Sequence, residues 1–192
     1  LIYLNRVGGQ DELVFDGASF CLSHEGKLSV QLKDFQEEVL EINLTKPDNN
    51  WICKGKINSI SSNLEALYKS LVVSVRDYVQ NNGFPGVVLG MSGGIDSALV
   101  AAIATDALGP KLVRAVMMPS PYTSKDSLED AELASSNLGV DYSYLDIKNG
   151  MNVIDNILLD FKGDKVEPGI TEENIQSRIR GLLLMLSLIH IS

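Results

Sequence analysis

Residues 86–98, GVVLGMSGGIDSA, constrain the fold of this chain more than any other stretch. The apolar run Val87-Val88-Leu89, bounded by glycines, is typical of a buried strand in a parallel sheet. An alanine-rich apolar segment, Ile95–Leu108, follows and stops at Gly109-Pro110, which predicts a helix and its end. Glycines between the two segments let the backbone turn sharply. The stretch therefore predicts a strand, a tight turn and the start of a helix.

The turn itself predicts a phosphate site. Gly93 and Gly94 remove side chains where the backbone must approach a ligand closely. The first N–H groups of the following helix have no partner within the helix, and the helix dipole is positive there. Such a helix start binds anions, most often phosphate. The candidate ATP-binding residues, two of which add hydroxyl donors, are Gly90, Met91, Ser92, Gly93, Gly94, Ile95, Asp96 and Ser97.

The loop is neither of the two commonest phosphate loops. Its glycine spacing differs from GxGxxG, and no lysine occurs between Gly86 and Pro110, as a Walker A loop would require. Asp96 instead stands in the first helical turn. Because a carboxylate repels bound phosphates unless a cation lies between them, Asp96 is predicted to be a Mg²⁺ ligand on a pyrophosphate. The alternative is that Asp96 only complements the helix dipole.

The phrase SGGIDS, residues 92–97, resembles the pyrophosphate loop of the N-type ATP pyrophosphatases. The resemblance implies that ATP, with Mg²⁺, activates a carboxylate or amide oxygen as an AMP ester and releases pyrophosphate. A nitrogen or sulfur nucleophile then displaces AMP. The family includes synthetases for NAD, GMP, asparagine and argininosuccinate, and tRNA-thiolating enzymes. The loop therefore specifies a reaction type better than a substrate.

Composition excludes several classes of partner. The formal net charge of −9 argues against a nucleic-acid backbone as the main partner. The two cysteines, Cys21 and Cys53, are far apart in sequence and form no CxxC, so neither a zinc site nor a disulfide framework is predicted. No apolar run approaches the roughly 20 residues of a membrane helix, and Leu1–Asn5 lacks the basic start of a signal peptide. We therefore expect a cytoplasmic protein without a membrane partner.

Residues 1–44 carry a second resemblance. Their short strands have no helices to cover them and cannot close a core alone. The phrase LNRVGGQDELVFDGASF, residues 4–20, is similar to a late part of the glutaminase domain of glutamine-dependent NAD synthetases. The resemblance implies that residues 1–44 are the C-terminal part of a nitrilase-like α/β sandwich domain. The Glu-Lys-Cys triad of that fold precedes this phrase, so no catalytic residue is assigned, and Cys21 is expected to be a small core residue.

A change of composition marks the next boundary. Residues 45–60 contain a proline and several asparagines without an apolar period, which predicts an inter-domain linker. Ser62 and Glu65 then have the spacing of a capping box at the start of an apolar-faced helix. Residues 61–192 are accordingly expected to be the N-terminal part of a synthetase domain, truncated.

Strands and helices alternate through the rest of the chain. We predict a turn or loop at Val7–Glu12, strands at Val39–Leu44, Leu112–Met118 and Val140–Ile147, and helices at Asp126–Leu138, from Met151 to Phe161, and from Glu172 to about Leu186 with Thr171 as the cap. The alternation predicts an α/β fold, a Rossmann-like (adenine nucleotide alpha hydrolase-like) parallel sheet. Because ligands lie at the carboxyl ends of parallel strands, a nucleotide can span the SGGIDS loop and the 119–125 loop.

Two further phrases resemble NAD synthetases. MMPSPYTSKDSLEDAELASSNLG, residues 117–139, is similar to a strand, loop and helix whose loop lies near the adenine. TEENIQSRIRG, residues 171–181, is similar to the helix that reaches deamido-NAD. The resemblance implies that Asn174, Arg178 and Arg180 bind deamido-NAD, since an amide donates hydrogen bonds and guanidinium groups pair with phosphate or carboxylate. The alternative for both arginines is surface pairing with neighbouring acids.

The combined resemblance implies ATP-dependent amidation of deamido-NAD to NAD through an acyl-adenylate, with ammonia from glutamine. Residues 186–192 match none of the phrases that follow in that family, so the chain is interpreted as an internal fragment that is inactive alone. The full-length protein is expected to be a homo-oligomer. Two alternatives stay open at this point: another synthetase with this loop, such as GMP synthetase, or an ATP-binding module without turnover.

Overall fold

The structure, a computed structural model, describes residues 1–158 and 169–187 of the 192-residue chain. The chain divides into two compact units, Leu1–Gly83 and Phe84–Ser192. Within the described residues, no helix is both long and apolar enough to span a membrane.

The first unit consists of short antiparallel strands and one long helix. Its elements are β1 (Ile2–Tyr3), β2 (Val7–Gln10), β3 (Leu13–Asp16), β4 (Phe20–Leu22), β5 (Leu28–Gln31), β6 (Asn43–Thr45), β7 (Ile52–Lys54) and α1 (Asn63–Asn81). The strands pair in the order β1-β4-β5, with β2-β3 and β6-β7 as separate hairpins. A small core cluster contains Cys21, Val30 and Cys53, one from each of the strands β4, β5 and β7.

Two predictions about this unit are wrong in part. Of the turn or loop predicted at residues 7–12, only Asp11 and Glu12 form a turn, and Val7–Gln10 form strand β2, which pairs antiparallel with β3. Of the predicted strand Val39–Leu44, only Asn43 and Leu44 are in a strand, β6. Both segments depend on pairing with distant residues rather than on local propensity. The predicted boundaries 1–44, 45–60 and 61–192 stay predictions, although residues 43–54 contribute a hairpin to the first unit.

Helix α1 begins at the predicted cap. The Ser62 side-chain oxygen accepts a hydrogen bond from the Glu65 backbone N–H at 3.4 Å, which satisfies one of the unpaired donors at the helix start. Val73 and Val79 are its buried residues. The helix packs against the β2–β3 hairpin of the same unit.

The second unit is an α/β fold, as predicted. Its elements are β8 (Val87–Met91), α2 (Ile95–Leu108), β9 (Val113–Met117), α3 (Lys125–Leu138), β10 (Asp141–Tyr144), α4 (Lys148–Leu158) and α5 (Ile170–Ser187). The three strands are parallel in the order β10-β9-β8. Helix α5 begins at Ile170, so Thr171 is not its cap, and Phe161 of the predicted fourth helix lies outside the described residues.

Helices cover both faces of this sheet. On one face a cluster joins Val113, Ala115 and Met117 of β9 to residues of α2 and α3. On the other face Val116 and Met118 pack with Ile147, Met151, Ile175 and Ile179, which brings in α4 and α5. The alternation along β9 is the period of two that a strand imposes, and burial on both faces explains why β9 is apolar throughout except at Arg114.

Candidate functional site: a phosphate loop and the cavity beside it

The glycine-rich loop joins β8 to α2 and is held by its own serines. Ser92 Oγ lies 3.0 Å from Ser97 Oγ, and Ser92 Oγ accepts from the Gly94 backbone N–H at 3.2 Å. The Ser97 hydroxyl donates to the Gly94 carbonyl at 2.9 Å and accepts from the Ser92 N–H at 3.2 Å. Gly94 caps helix α2 in an extended conformation without a side chain. The start of α2 therefore presents an exposed glycine cap, beside which an anion can lie.

Gly93 is required by both its backbone and its surroundings. Its φ of +80° is a conformation that residues with a side chain rarely adopt. A Cβ added there would lie 2.7 Å from the Ser127 Cα and closer still to the Ser127 carbonyl oxygen. The loop thus lies directly against the first turn of helix α3. Ser124 caps this turn by accepting from the Ser127 backbone N–H at 3.1 Å.

Asp96 is exposed in the first turn of α2. Its carboxylate has the ligand chemistry that Mg²⁺ prefers, and protein sites commonly hold Mg²⁺ through one or two carboxylates completed by substrate phosphates. Among the described residues, no group of three or more His, Cys, Asp or Glu could hold a metal ion. Asp96 therefore fits a Mg²⁺ that is shared with phosphate rather than an all-protein cage.

A cavity of about 220 Å³ opens next to the loop at the carboxyl ends of β8 and β9. Its lining consists of Gly90 and Met91 at the end of β8, Ser92 of the loop, Met117 at the end of β9, Met118 and Thr123 after β9, and Arg180 and Leu184 from α5. Most of the lining is apolar, with serine, threonine and arginine groups at fixed places. This composition is typical of small-molecule sites, and the position is the usual one for a ligand in an open α/β sheet.

Arg180 is anchored within this cavity wall. Its Nε donates to the Met118 carbonyl at 3.0 Å, and its Nη2 donates to Gln176 Oε1 at 3.3 Å. Partial burial lowers the pKa of the Arg180 guanidinium. A guanidinium has five N–H donors, and these two bonds use two of them. Arg180 therefore presents a positioned positive charge beside the loop.

The other two residues predicted to bind substrate lie elsewhere on α5. Asn174 and Arg178 are both exposed, and their spacing of four places them on one face of the helix. Neither contributes to the lining of the cavity that contains Arg180. The structure thus brings Arg180 to the phosphate loop and leaves Asn174 and Arg178 on a separate, solvent-facing surface.

Sequence reasoning misses several residues of the site. It includes Met118 and Thr123 only as part of the strand and loop around β9, and it does not single out Leu184 or Ser127. The position of Met118 directly after a strand that precedes a helix is the signal that points to it. Leu184 and the contact of Ser127 with Gly93 depend on tertiary packing and have no local signature.

Cys21 is confirmed as a core residue. It is 3% exposed, and burial together with the neighbouring Cys53 raises the pKa of its thiol. A raised pKa disfavours the thiolate that a nucleophile requires. The expectation that Cys21 is a small core residue is therefore consistent with its surroundings.

A parallel sheet with helices on both faces, a glycine loop that opens a helix and a cavity at the strand ends together define an α/β protein of the Rossmann-like class. The family model described as NAD synthase matches residues 67–188. The chain belongs to the NAD synthase family.

Relatives match along nearly the whole chain. The glutamine-dependent NAD(+) synthetase of Rhodobacter capsulatus is 44% identical over 186 residues, which is 96% of this chain and 34% of the relative. The structure of the Acinetobacter baumannii glutamine-dependent NAD+ synthetase in complex with ADP superimposes with a TM-score of 0.89 at 42% identity, covering 97% of this chain and 35% of that one. The chain thus spans about a third of the length of these relatives.

A shorter relative matches a smaller part of the chain. The NH3-dependent NAD synthetase from Campylobacter jejuni, in complex with nitrate, superimposes with a TM-score of 0.59 at 30% identity. It covers 68% of this chain and 55% of that one.

Proposed function

We propose that the full-length protein to which this chain belongs amidates deamido-NAD to NAD, using ATP and ammonia derived from glutamine. The observation that carries the proposal is the continuous match to glutamine-dependent NAD+ synthetases over 97% of the chain. Because that match includes residues before the NAD synthase family model begins at residue 67, it favours a relative with a glutaminase part.

The proposed chemistry has two steps. The nicotinate carboxylate of deamido-NAD attacks the α-phosphorus of ATP, and pyrophosphate leaves. Ammonia then attacks the carbonyl carbon of the acyl-adenylate, and AMP leaves with the C–N bond formed. The contribution of the protein is mainly to hold the reactants in line and to stabilise charge on the leaving groups.

The loop residues 90–97 take the phosphate role in this scheme. The N–H groups at the start of α2 donate to the departing pyrophosphate, and the hydroxyls of Ser92 and Ser97 turn from their bonds within the loop to donate to it as well. Asp96 would hold Mg²⁺, and the bound ion would neutralise part of the phosphate charge. Arg180, anchored on the Met118 carbonyl, offers positive charge to the phosphate or carboxylate that occupies the neighbouring cavity.

Asn174 and Arg178 are assigned to deamido-NAD in this proposal. Their exposure on one face of α5 leaves both side chains accessible to a substrate that extends beyond the cavity. Cytoplasmic location and a homo-oligomeric state of the full-length protein stay predictions.

A product assay tests the proposal. The purified full-length protein receives ATP, Mg²⁺ and deamido-NAD with either glutamine or ammonium, and NAD, AMP, ADP and pyrophosphate are measured. We expect NAD, AMP and pyrophosphate in equal amounts with both nitrogen sources. Formation of ADP in place of AMP would contradict the adenylate. Turnover with xanthosine monophosphate instead of deamido-NAD would favour a GMP synthetase, and nucleotide binding without any turnover would favour the binding module.

A further inference from the structure

Helix α1 belongs to the NAD synthase match by sequence and to the first unit by packing. The NAD synthase family model begins at residue 67, within the first turns of α1. By packing, however, the helix belongs to the unit Leu1–Gly83, because it lies on the β2–β3 hairpin. That hairpin precedes the NAD synthase match and falls within the phrase that resembles a glutaminase domain.

Asp77 makes the direct bond between the helix and the hairpin. Its Oδ2 accepts from the Gly9 backbone N–H at 2.6 Å, and its Oδ1 accepts from Arg76 Nε at 2.7 Å. The side chain is only 14% exposed. Burial opposes the charged form, but the hydrogen bonds from Arg76 and Gly9 outweigh it and lower the pKa of the Asp77 carboxyl. The carboxylate is thus ionised and bonded to a backbone group of the neighbouring element.

The hairpin is shaped for this contact. A Cβ on Gly9 would lie 3.4 Å from both the Asp77 Cβ and the Ser74 Cα, and a Cβ on Gly8 would lie 3.0 Å from Asp77 Oδ2. Gly8 also has a φ of +139°, which disfavours a side chain. The two glycines therefore let the strand backbone approach α1 closely enough for the Asp77 bond. Strand β8 of the second unit begins at Val87, shortly after α1 ends at Asn81.

We propose that Asp77 is a positioning residue for glutamine-dependent NAD synthesis, which fixes the first helix of the synthase match to the β2–β3 hairpin of the preceding part. The inference rests on the proposed function. Ammonia released in one part of the protein must reach the acyl-adenylate held by another part, so its transfer depends on alignment of the two. Ammonia supplied from solution does not have this requirement.

The test compares the two nitrogen sources in the full-length enzyme. Asp77→Ala leaves the Gly9 N–H without its acceptor, and we expect the glutamine-supported rate of NAD formation to fall about tenfold, the scale of one lost charge-assisted bond. The ammonium-supported rate should change by no more than about twofold. Glutamate released per NAD formed should rise. Asp77→Asn should restore most of the glutamine-supported rate because its amide oxygen can accept from Gly9.

Two matched variants complete the experiment. Glu65→Ala removes an acid from the same helix whose side chain is 54% exposed and paired with Lys69, and it should leave both rates unchanged. Gly9→Ala disturbs the same contact from the hairpin and should reproduce the selective loss, which keeps the test valid if Asp77→Ala does not fold. Equal losses with glutamine and ammonium, or no loss in either Asp77→Ala or Gly9→Ala, would overturn the proposal. Absence of NAD from both sources in the unaltered enzyme would instead refute the proposed function.

Discussion

Two separate constraints require glycine at position 93: the backbone conformation and the close contact with helix α3. Its positive φ excludes most side chains, and the Ser127 backbone occupies the place where a Cβ would stand. Gly109, at the other end of helix α2, has nearly the same φ, +81°, but a Cβ added there would have no atom within 4 Å. A substitution at Gly109 therefore introduces backbone strain without steric overlap, whereas a substitution at Gly93 introduces both.

We predict that Gly93→Ala destabilises the chain clearly more than Gly109→Ala does. Gly109, with φ +81° and ψ +153°, lies in a region that is almost restricted to glycine, so Gly109→Ala should cost about 1–3 kcal/mol from backbone strain alone. Gly93→Ala also places a Cβ at a positive φ and must in addition displace backbone of helix α3, which costs further free energy. Urea denaturation gives the two free energies of unfolding. Equal costs would contradict the close packing of the loop against Ser127.

Asp96 offers a second test at the residue scale. In the full-length protein, Asp96→Asn should raise the Mg²⁺ concentration for half-maximal NAD formation by about tenfold or more, because a neutral amide is a poor Mg²⁺ ligand. Folding should be nearly unaffected, since the side chain is exposed. The measurement is the rate as a function of Mg²⁺ at fixed ATP.

Asp126→Asn is the matched control for this substitution. Asp126 is also an exposed acid in the first turn of a helix, α3, so the variant makes the same change of charge at a similar position. It should leave the Mg²⁺ dependence unchanged. If both variants raised the Mg²⁺ concentration for half-maximal NAD formation equally, Asp96 would act only through its general negative charge. If Asp96→Asn had the Mg²⁺ dependence of the unaltered enzyme, the assignment of Asp96 as a metal ligand would be refuted.

Residues of the candidate site differ in whether their role can be predicted from the sequence. The loop Gly90–Ser97 is predictable because its turn, helix start and hydroxyls are local in sequence. The anchoring of Arg180 on Met118 is not, because it joins residues from α5 and the end of β9. Without the resemblance of residues 171–181 to NAD synthetases, the sequence favours surface pairing of Arg180 with neighbouring acids.

At the scale of elements, Asp34 links the segment after β5 to the start of helix α1. It is 8% exposed, and its Oδ2 accepts from the Ser61 backbone N–H at 2.9 Å. Burial opposes the charged form, but the hydrogen bonds from Ser61 and the charge of Lys69 outweigh it and lower the pKa of Asp34. The ionised carboxylate therefore holds the approach to the helix in place.

This lowered pKa predicts a pH dependence of stability. The contribution of Asp34 is fully present above its ordinary pKa of 3.8 and is lost as the pH falls through the lower folded value. Asp34→Asn should therefore destabilise the chain at pH 7, and the free energy of unfolding should fall less between pH 7 and pH 3 than in the unaltered chain. Urea denaturation at each pH measures this.

Glu37→Gln serves as the control for Asp34→Asn, because Glu37 is an exposed acid close by in sequence. It should leave the pH dependence of unfolding nearly unchanged. If Asp34→Asn and Glu37→Gln gave the same pH profile as the unaltered chain, the hydrogen bond to Ser61 would not contribute to stability.

The elements differ in how far the sequence predicts them. The helices α1 to α3 have caps, apolar periods and terminating glycines, and their positions agree with the structure within about two residues. For strand β2 the sequence predicts a turn or loop, because Gly8 and Gly9 are typical of turns. Its extended conformation depends on pairing with β3 and contact with α1, neither of which is visible in a short window.

At the scale of the whole molecule, we predict that the 192-residue chain does not form NAD by itself. No catalytic triad for glutamine is assigned to it, and Asp96 is the one carboxylate assigned to Mg²⁺, which a single acid binds weakly unless phosphates complete the shell. The assay supplies ATP, Mg²⁺, deamido-NAD and excess ammonium to the purified chain. Steady production of both NAD and AMP would contradict the prediction.

Strand β8 lies at the edge of the sheet that the structure describes in the second unit, and this position affects where a nucleotide can bind. Within the described residues β8 pairs only with β9, so one row of its backbone N–H and C=O groups faces outward. A further parallel strand paired with β8 on that side would make β8 a central strand instead of an edge strand. Its crossover helix would cover the face opposite to α2, and the chain would reverse its direction of winding at β8. The crevice created by that reversal would open directly above the glycine loop.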